Sequence, residues 1–244
     1  MVFKTRAIVL RTVKYGETSI IATLFTEQFG VLPFLVKGIR KTGKTGTKAA
    51  LFQPGTSLET IIQYQHARNF QYLKEFALAA PGSEIDSDMV KKSISIFCIE
   101  ILLRLLPTDA PAPELFNYAF DFMTGLKHFT GSILANAPLY FTLNCSRYMG
   151  YDVNGAYSIE TPFLNITEGG FSDKPQHEPP ILIDDECRMM YKVIQDLENE
   201  AATFTDLNRV MRNNLLNWII VYLQSHTRHM GPVRSLSVLH EVLA

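Results

Sequence analysis

The chain has 244 residues, is 47% apolar and carries a net charge of only -1, so it can bury one substantial core and a second, smaller one. Its apolar runs are broken by Glu100 and Arg104 or stop after five residues at 219–223, short of the ~20 a membrane span needs. With no hydrophobic leader in residues 1–6, and with Cys98, Cys145 and Cys187 odd in number and far apart, the expectation is a cytoplasmic protein with packed thiols and no membrane contact. The near-neutral total conceals an imbalance. Residues 1–80 hold eleven Lys and Arg against four Asp and Glu, whereas residues 81–244 hold twelve against twenty. A basic part of this kind points to a phosphate-rich partner.

Residues 2–13 alternate loosely and are rich in β-branched side chains, then break at Tyr15-Gly16-Glu17, which predicts a strand and a turn. Residues 18–25 predict a second strand, Glu27-Gln28-Phe29-Gly30 a turn, and residues 31–37 a third strand. Residues 56–63 and 68–76 predict two more. Five short strands in about 75 residues predict a small closed barrel of the oligonucleotide-binding (OB) type over residues 1–80. Most of its aromatics should fill that barrel. Tyr15 and Phe29 fall in turns and Phe52 just beyond a basic loop, so these three are the candidates for stacking on bases, ahead of Phe25 or Phe70.

Residues 81–244 read as helical, which makes the whole chain α+β. Helices are predicted over 86–106, ending at Pro107; from Pro113; from Asn136 as N-cap to Met149, with Gly150 as stop; from Asp184 or Asp185; and over 205–224. The last has Leu215, Trp218, Ile219, Tyr222 and Leu223 on one stripe, with Arg209, Arg212 and Asn213 on what reads as its solvated face. The excursion at about 151–183, rich in Gly, Pro and Asn, is either a small hairpin turning at Gly169-Gly170 or an interaction loop.

Between the third and fourth strands, Lys37, Arg40, Lys41, Lys44 and Lys48 fall within thirteen residues that include three glycines and no acid. The segment reads as an exposed flexible loop that binds nucleic acid, supported by Lys4, Arg6, Arg11 and Lys14. Residues 38–45 also match G-x-x-x-x-G-K-[ST]. A P-loop, however, needs a helix opening at Lys44, and Gly46 and Pro54 oppose one with an apolar stripe. No catalytic motif such as G-x-S-x-G or H-E-x-x-H is present, and His226 and His229 lack a third ligand. The expectation is therefore a binding protein without enzyme activity, cofactor or metal. Two rivals stand beside it: a P-loop NTPase, and a protein-interaction scaffold whose basic loop docks an acidic partner.

Several blocks resemble the bacterial recombination mediator family RecO. They are Ala7-Ile8-Val9-Leu10 followed by Tyr15-Gly16-Glu17-Thr18-Ser19, Phe25-Thr26 ahead of Gly30, Val36-Lys37-Gly38-Ile39-Arg40-Lys41, Phe52-Gln53-Pro54, and Gly231-Pro232-Val233-Arg234-Ser235-Leu236 near the end. The resemblance implies an N-terminal OB barrel and a C-terminal helical domain. It implies binding of single- and double-stranded DNA, strand annealing, and loading of recombinase with RecR onto DNA covered by single-stranded-DNA-binding protein (SSB), with nucleoid association during repair. Lys37, Arg40 and Lys41 match the family's basic motif, while Lys44 and Lys48 extend it by charge alone. Many relatives carry two Cys-x-x-Cys pairs between the helices; here residues 151–183 contain no cysteine. The SSB tail is expected in an apolar groove of the helical part, with Arg104, Lys127, Arg209 or Arg212 at its rim.

Overall fold

The computed structural model describes residues 1–39, 46–66, 68–80, 88–108, 110–199, 205–228 and 230–243. Five strands, β1 (Val2–Tyr15), β2 (Ser19–Thr26), β3 (Gly30–Val36), β4 (Ser57–Gln63) and β5 (Gln71–Leu78), close into a barrel in the order β1-β2-β3-β5-β4. Within the barrel β3 and β5 pair in parallel, and the β1–β2, β1–β4, β2–β3 and β4–β5 pairs are antiparallel. This is the OB barrel that the strand pattern predicts.

Alternation decides which side chains fill it. Ala7, Val9, Ala22, Leu24, Leu32, Phe34, Leu58 and Ile62 form the interior, and β4 alternates strictly between buried and half-buried positions. On part of β1 the alternation disappears, because the outer side is also covered. Ile8 lies opposite Phe25 across β1 and β2, both are fully buried, and the Phe25 ring meets Phe116 edge-on at 5.2 Å. Phe116 belongs to helix α3 (Pro113–Gly125). Accordingly the chain divides into one compact unit of Met1–Asp88 with Leu106–Lys127, and a second of Met89–Leu105 with His128–Ala244. The segment before α3 approaches Gly30 so closely that a Cβ there would run into the Ala110 backbone; with φ at +69°, that position suits glycine on two counts.

The second unit is built from α2 (Met89–Leu105), α4 (Gly131–Tyr148), α5 (Asp184–Glu198), α6 (Arg209–His226) and α7 (Ser235–Val242). Its core includes Phe97, Ile101, Leu102, Tyr140, Phe141, Leu215, Trp218 and Leu223, with Trp218 stacked on Tyr222 at 5.3 Å. Cys98, Cys145 and Cys187 are free and buried. The excursion is a two-stranded hairpin, β6 (Phe163–Asn165) and β7 (Gly170–Ser172), turning at Gly169 with φ +83°. Among the described residues no helix is long and apolar enough to cross a membrane.

Three sequence readings are corrected here. Asn136 does not cap a helix: α4 begins at Gly131, and the fully buried Asn136 instead donates from Nδ2 to the Thr205 carbonyl at 2.9 Å. The last long helix begins at Arg209 rather than Thr205, because Asn208 Oδ1 accepts from Met211 N–H at 2.9 Å and Thr205 is held elsewhere. Its N–H and hydroxyl both donate to Asp196 Oδ2, at 2.8 and 2.6 Å, as does the Tyr140 hydroxyl at 2.6 Å. Finally, Arg212 is not solvated surface. It is 7% exposed and donates from Nη1 to the Leu207 carbonyl at 3.3 Å. Burial, with Arg209 adding to it, lowers its pKa.

Candidate nucleic-acid interface

The far half of β1, residues 11–15, leaves the cover of α3. A bulge between Val9 and Arg11 shifts the register, after which Arg11, Val13 and Tyr15 pair with Thr23, Ile21 and Ser19. Ile21 in turn pairs with Leu35, and Leu35 with Tyr72. Cross-strand partners share a face, so Val13, Ile21, Leu35 and Tyr72 form an apolar row across four strands on the barrel exterior. Val13 is 40% exposed and Tyr15 49%. At one end of the row the Tyr15 and Phe70 rings lie 6.3 Å apart. The Tyr72 ring has Lys37 Nζ at 5.4 Å and the Arg68 guanidinium at 5.6 Å. The loop that brings Arg68 and Phe70 here is anchored by Gln71, whose side-chain amide accepts from Gln65 N–H at 2.8 Å and donates to Gln65 O at 2.9 Å.

Lys37 follows β3 and is exposed, as are Lys4, Arg11, Lys14 and Lys48. Among the described residues neither Arg11 nor Lys14 makes an ion pair. Arg40, Lys41 and Lys44 lie outside the described residues. The basic segment is not a loop throughout: Val36 ends β3, Ile39 is 3% exposed within the barrel core, and helix α1 (Gly46–Ala49) carries Lys48, followed by a 3-10 turn over Ala50–Phe52.

Two candidates are corrected. Phe52 is 2% exposed, stands edge-on to Phe76 at 4.9 Å inside the barrel, and has no face to offer a base. Arg6 is already engaged. Its Nε and Nη2 donate to the two Glu27 oxygens at 3.0 and 2.8 Å, Nη2 also donates to Asn117 Oδ1 at 2.6 Å, and the guanidinium lies over Phe116 and Phe120 at 5.5 and 4.8 Å. The hydrogen bond to Glu27 raises the Arg6 pKa and lowers that of Glu27. Phe29 is half-buried, stacked on Tyr64 at 4.5 Å. The sequence reading ranks Phe70 behind Tyr15, Phe29 and Phe52, and Tyr72 and Arg68 escape it. Their two-residue spacing, Arg68-x-Phe70-x-Tyr72, is the signal that places them on one side of the strand entry.

The remaining candidates are dispersed. Arg104 binds Glu100 at 3.3 Å and the Pro232 carbonyl at 3.1 Å. Lys127 belongs to the barrel unit, and Arg209 donates to the His240 carbonyl at 3.4 Å. Among the described residues no three His, Cys, Asp or Glu come together as metal ligands. His226 Nε2 pairs with the Ile166 carbonyl at 2.7 Å, and His229 lies outside the described residues. The P-loop pattern leads into a helix of only four residues, and Asp184, which starts α5, accepts from the Tyr157 hydroxyl at 2.7 Å.

Residues 1–81 match the family described as Recombination protein O N terminal. Along its full length the chain is similar to proteins named DNA repair protein RecO. The one from Flavobacterium psychrophilum is 30% identical over 246 residues, covering 100% of both chains. That from Christiangramia forsetii is 26% identical over 245 residues, 99% of each chain, and that from Phocaeicola vulgatus 28% over 245 residues, 100% of each. A barrel with an apolar, cation-flanked outer row and full-length similarity of this kind lead to one assignment: the chain belongs to the RecO family of DNA repair proteins.

Proposed function

We propose that this protein binds DNA through the barrel unit, anneals complementary strands without nucleotide hydrolysis, and works with RecR to load recombinase onto SSB-covered single strands in the cytoplasm. The observation that carries the reading is the exterior row ending at Tyr15, Phe70 and Tyr72, with Lys37 and Arg68 over the Tyr72 ring. Annealing is opposed by repulsion between two phosphate backbones. Cations at Lys37, Arg11, Lys14 and Lys48, together with Arg40, Lys41 and Lys44 of the basic segment, lower that repulsion, and the aromatic row supports bases while their pairing edges stay accessible. The helical unit serves protein contacts, including the SSB tail.

The test is a salt titration of binding to a labelled single strand. Replacing Lys37, Arg40, Lys41 and Lys44 together by Ala should flatten the slope of log K against log salt by roughly 0.7 per contact, about 3 in all. An unchanged slope in a folded variant removes the segment from the site. Displacement of DNA by an SSB tail peptide would move the tail contact onto the barrel. Tight ATP binding lost in Lys44→Ala, with DNA binding intact, would replace this reading by an NTPase.

A further inference from the structure

We infer that the barrel carries a pocket for a single unpaired nucleobase, walled by Phe3, Phe29 and Tyr64 and rimmed by His66 and Arg68. The inference rests on the DNA-binding reading above and adds to it the place where one unpaired base of a bound strand is held.

The Phe29 ring, in the turn between β2 and β3, stacks on Tyr64 at 4.5 Å and 22°, and Phe3 stands edge-on to both at 5.0 and 6.4 Å. Tyr64 is held by its main chain, its N–H donating to the Met1 carbonyl at 3.0 Å and its carbonyl accepting from the Met1 ammonium at 3.1 Å. These aromatics pack on the barrel core with their inner faces. Their outer faces open on a cleft of about 620 Å³, within the size range of small-molecule sites. An aromatic plug that only closed the barrel would need neither a cleft nor a cationic rim.

Among the described residues the lining contains no carboxylate, and it includes Arg68 and His66. Aromatic walls with a positive rim suit a base flanked by phosphates. Arg68 also lies over Tyr72 at 5.6 Å, so it joins the pocket to the row that ends at Tyr15 and Phe70. This continuity favours a nucleic-acid strand over an acidic peptide as occupant. One wall residue has a bond to offer: Gln65 Oε1 is buried without a hydrogen-bond partner, while Gln71 fixes the Gln65 main chain. A small rotation of that amide would let it accept from the exocyclic amine of a base. A duplex cannot enter, because its base faces are covered by their neighbours.

The test uses the full-length protein and oligonucleotides with 2-aminopurine at successive positions, single-stranded or annealed. Binding should quench the single strand in a register-dependent way and leave the duplex signal unchanged. Tyr64→Leu, which keeps the apolar bulk, should lower single-strand affinity on the order of tenfold with duplex affinity and salt slope unchanged. Arg68→Gln, at an exposed position, should lower affinity and flatten the slope, and it keeps the test valid if Tyr64→Leu disturbs the fold by far-UV circular dichroism. Single-strand affinity unchanged in both variants, while the basic-segment variant loses it, would overturn the pocket and leave the DNA reading standing. Absence of DNA affinity in the unaltered protein would overturn both. Binding of an acidic, aromatic-ended peptide that both variants abolish, with DNA binding unaffected, would make the pocket a protein site.

Discussion

Arg6→Ala separates a cation that holds the fold from those proposed to face DNA. The Arg6–Glu27 pair is doubly hydrogen-bonded, but its side chains are 30% and 31% exposed, so solvent screening limits it to ~0.5–1 kcal/mol. The 2.6 Å bond to Asn117 adds about 1 kcal/mol. Placement over Phe116 and Phe120 adds ~0.5–1 kcal/mol. The total of about 2–3 kcal/mol should lower the urea midpoint by roughly 1 M for a slope near ~2 kcal/mol/M, followed by far-UV circular dichroism. The log K against log salt slope for a single strand should not change, because the Arg6 charge is already paired with Glu27. Arg11→Ala should do the opposite, flattening the slope by about 0.7 and moving stability by no more than ~0.5 kcal/mol. An Arg6→Ala protein with an unchanged midpoint and a flattened slope would refute this division of labour.

Glu100 explains the arginine-serine ending. It accepts from the N–H groups of Arg234 and Ser235 at 3.0 and 2.8 Å and from the Ser235 hydroxyl at 2.7 Å, holding the start of α7 to α2. Glu100→Ala should cost about 2 kcal/mol and raise amide exchange selectively in α7; unchanged exchange would refute the capping role. Stability should also fall in acid. The Arg6 hydrogen bond lowers the Glu27 pKa, whereas burial alone would raise Glu100 and Asp196 but is outweighed by hydrogen bonds from Arg234 and Ser235 and from Thr205 and Tyr140. Carboxylates depressed in the folded state stabilise it fully above their unfolded values of about 4 and lose that contribution as pH falls through the folded values. Urea midpoints should therefore be flat near neutrality and drop below about pH 4, with a smaller drop in Asp196→Asn; an unchanged drop would exclude Asp196 as a contributor. Burial pushes the Cys98 and Cys145 thiols well up, so neither should react with a disulfide reagent until urea unfolds the protein, and rapid modification of either in native protein would contradict their packing.

The barrel was legible in the chain because strand period and turn residues are local: β4 alternates in sequence as it does in burial. The uneven charge was legible for the same reason, since a count of Lys and Arg needs no coordinates. What escaped was every property that depends on a distant partner. Arg6 and Arg11 look alike in the sequence, but Arg6 meets Asn117, 111 positions away. Phe52 follows a basic segment and reads as exposed, but the closing barrel takes its ring inside against Phe76. Asn136 and Thr205 both resemble helix starts, and each is used in a bond that crosses the helical unit. Phe70 reads as filler until strand pairing sets it beside Tyr15. Local sequence determines which residues can stack or carry charge; tertiary packing decides which are consumed within the fold, because a buried polar or charged group must find its partner there.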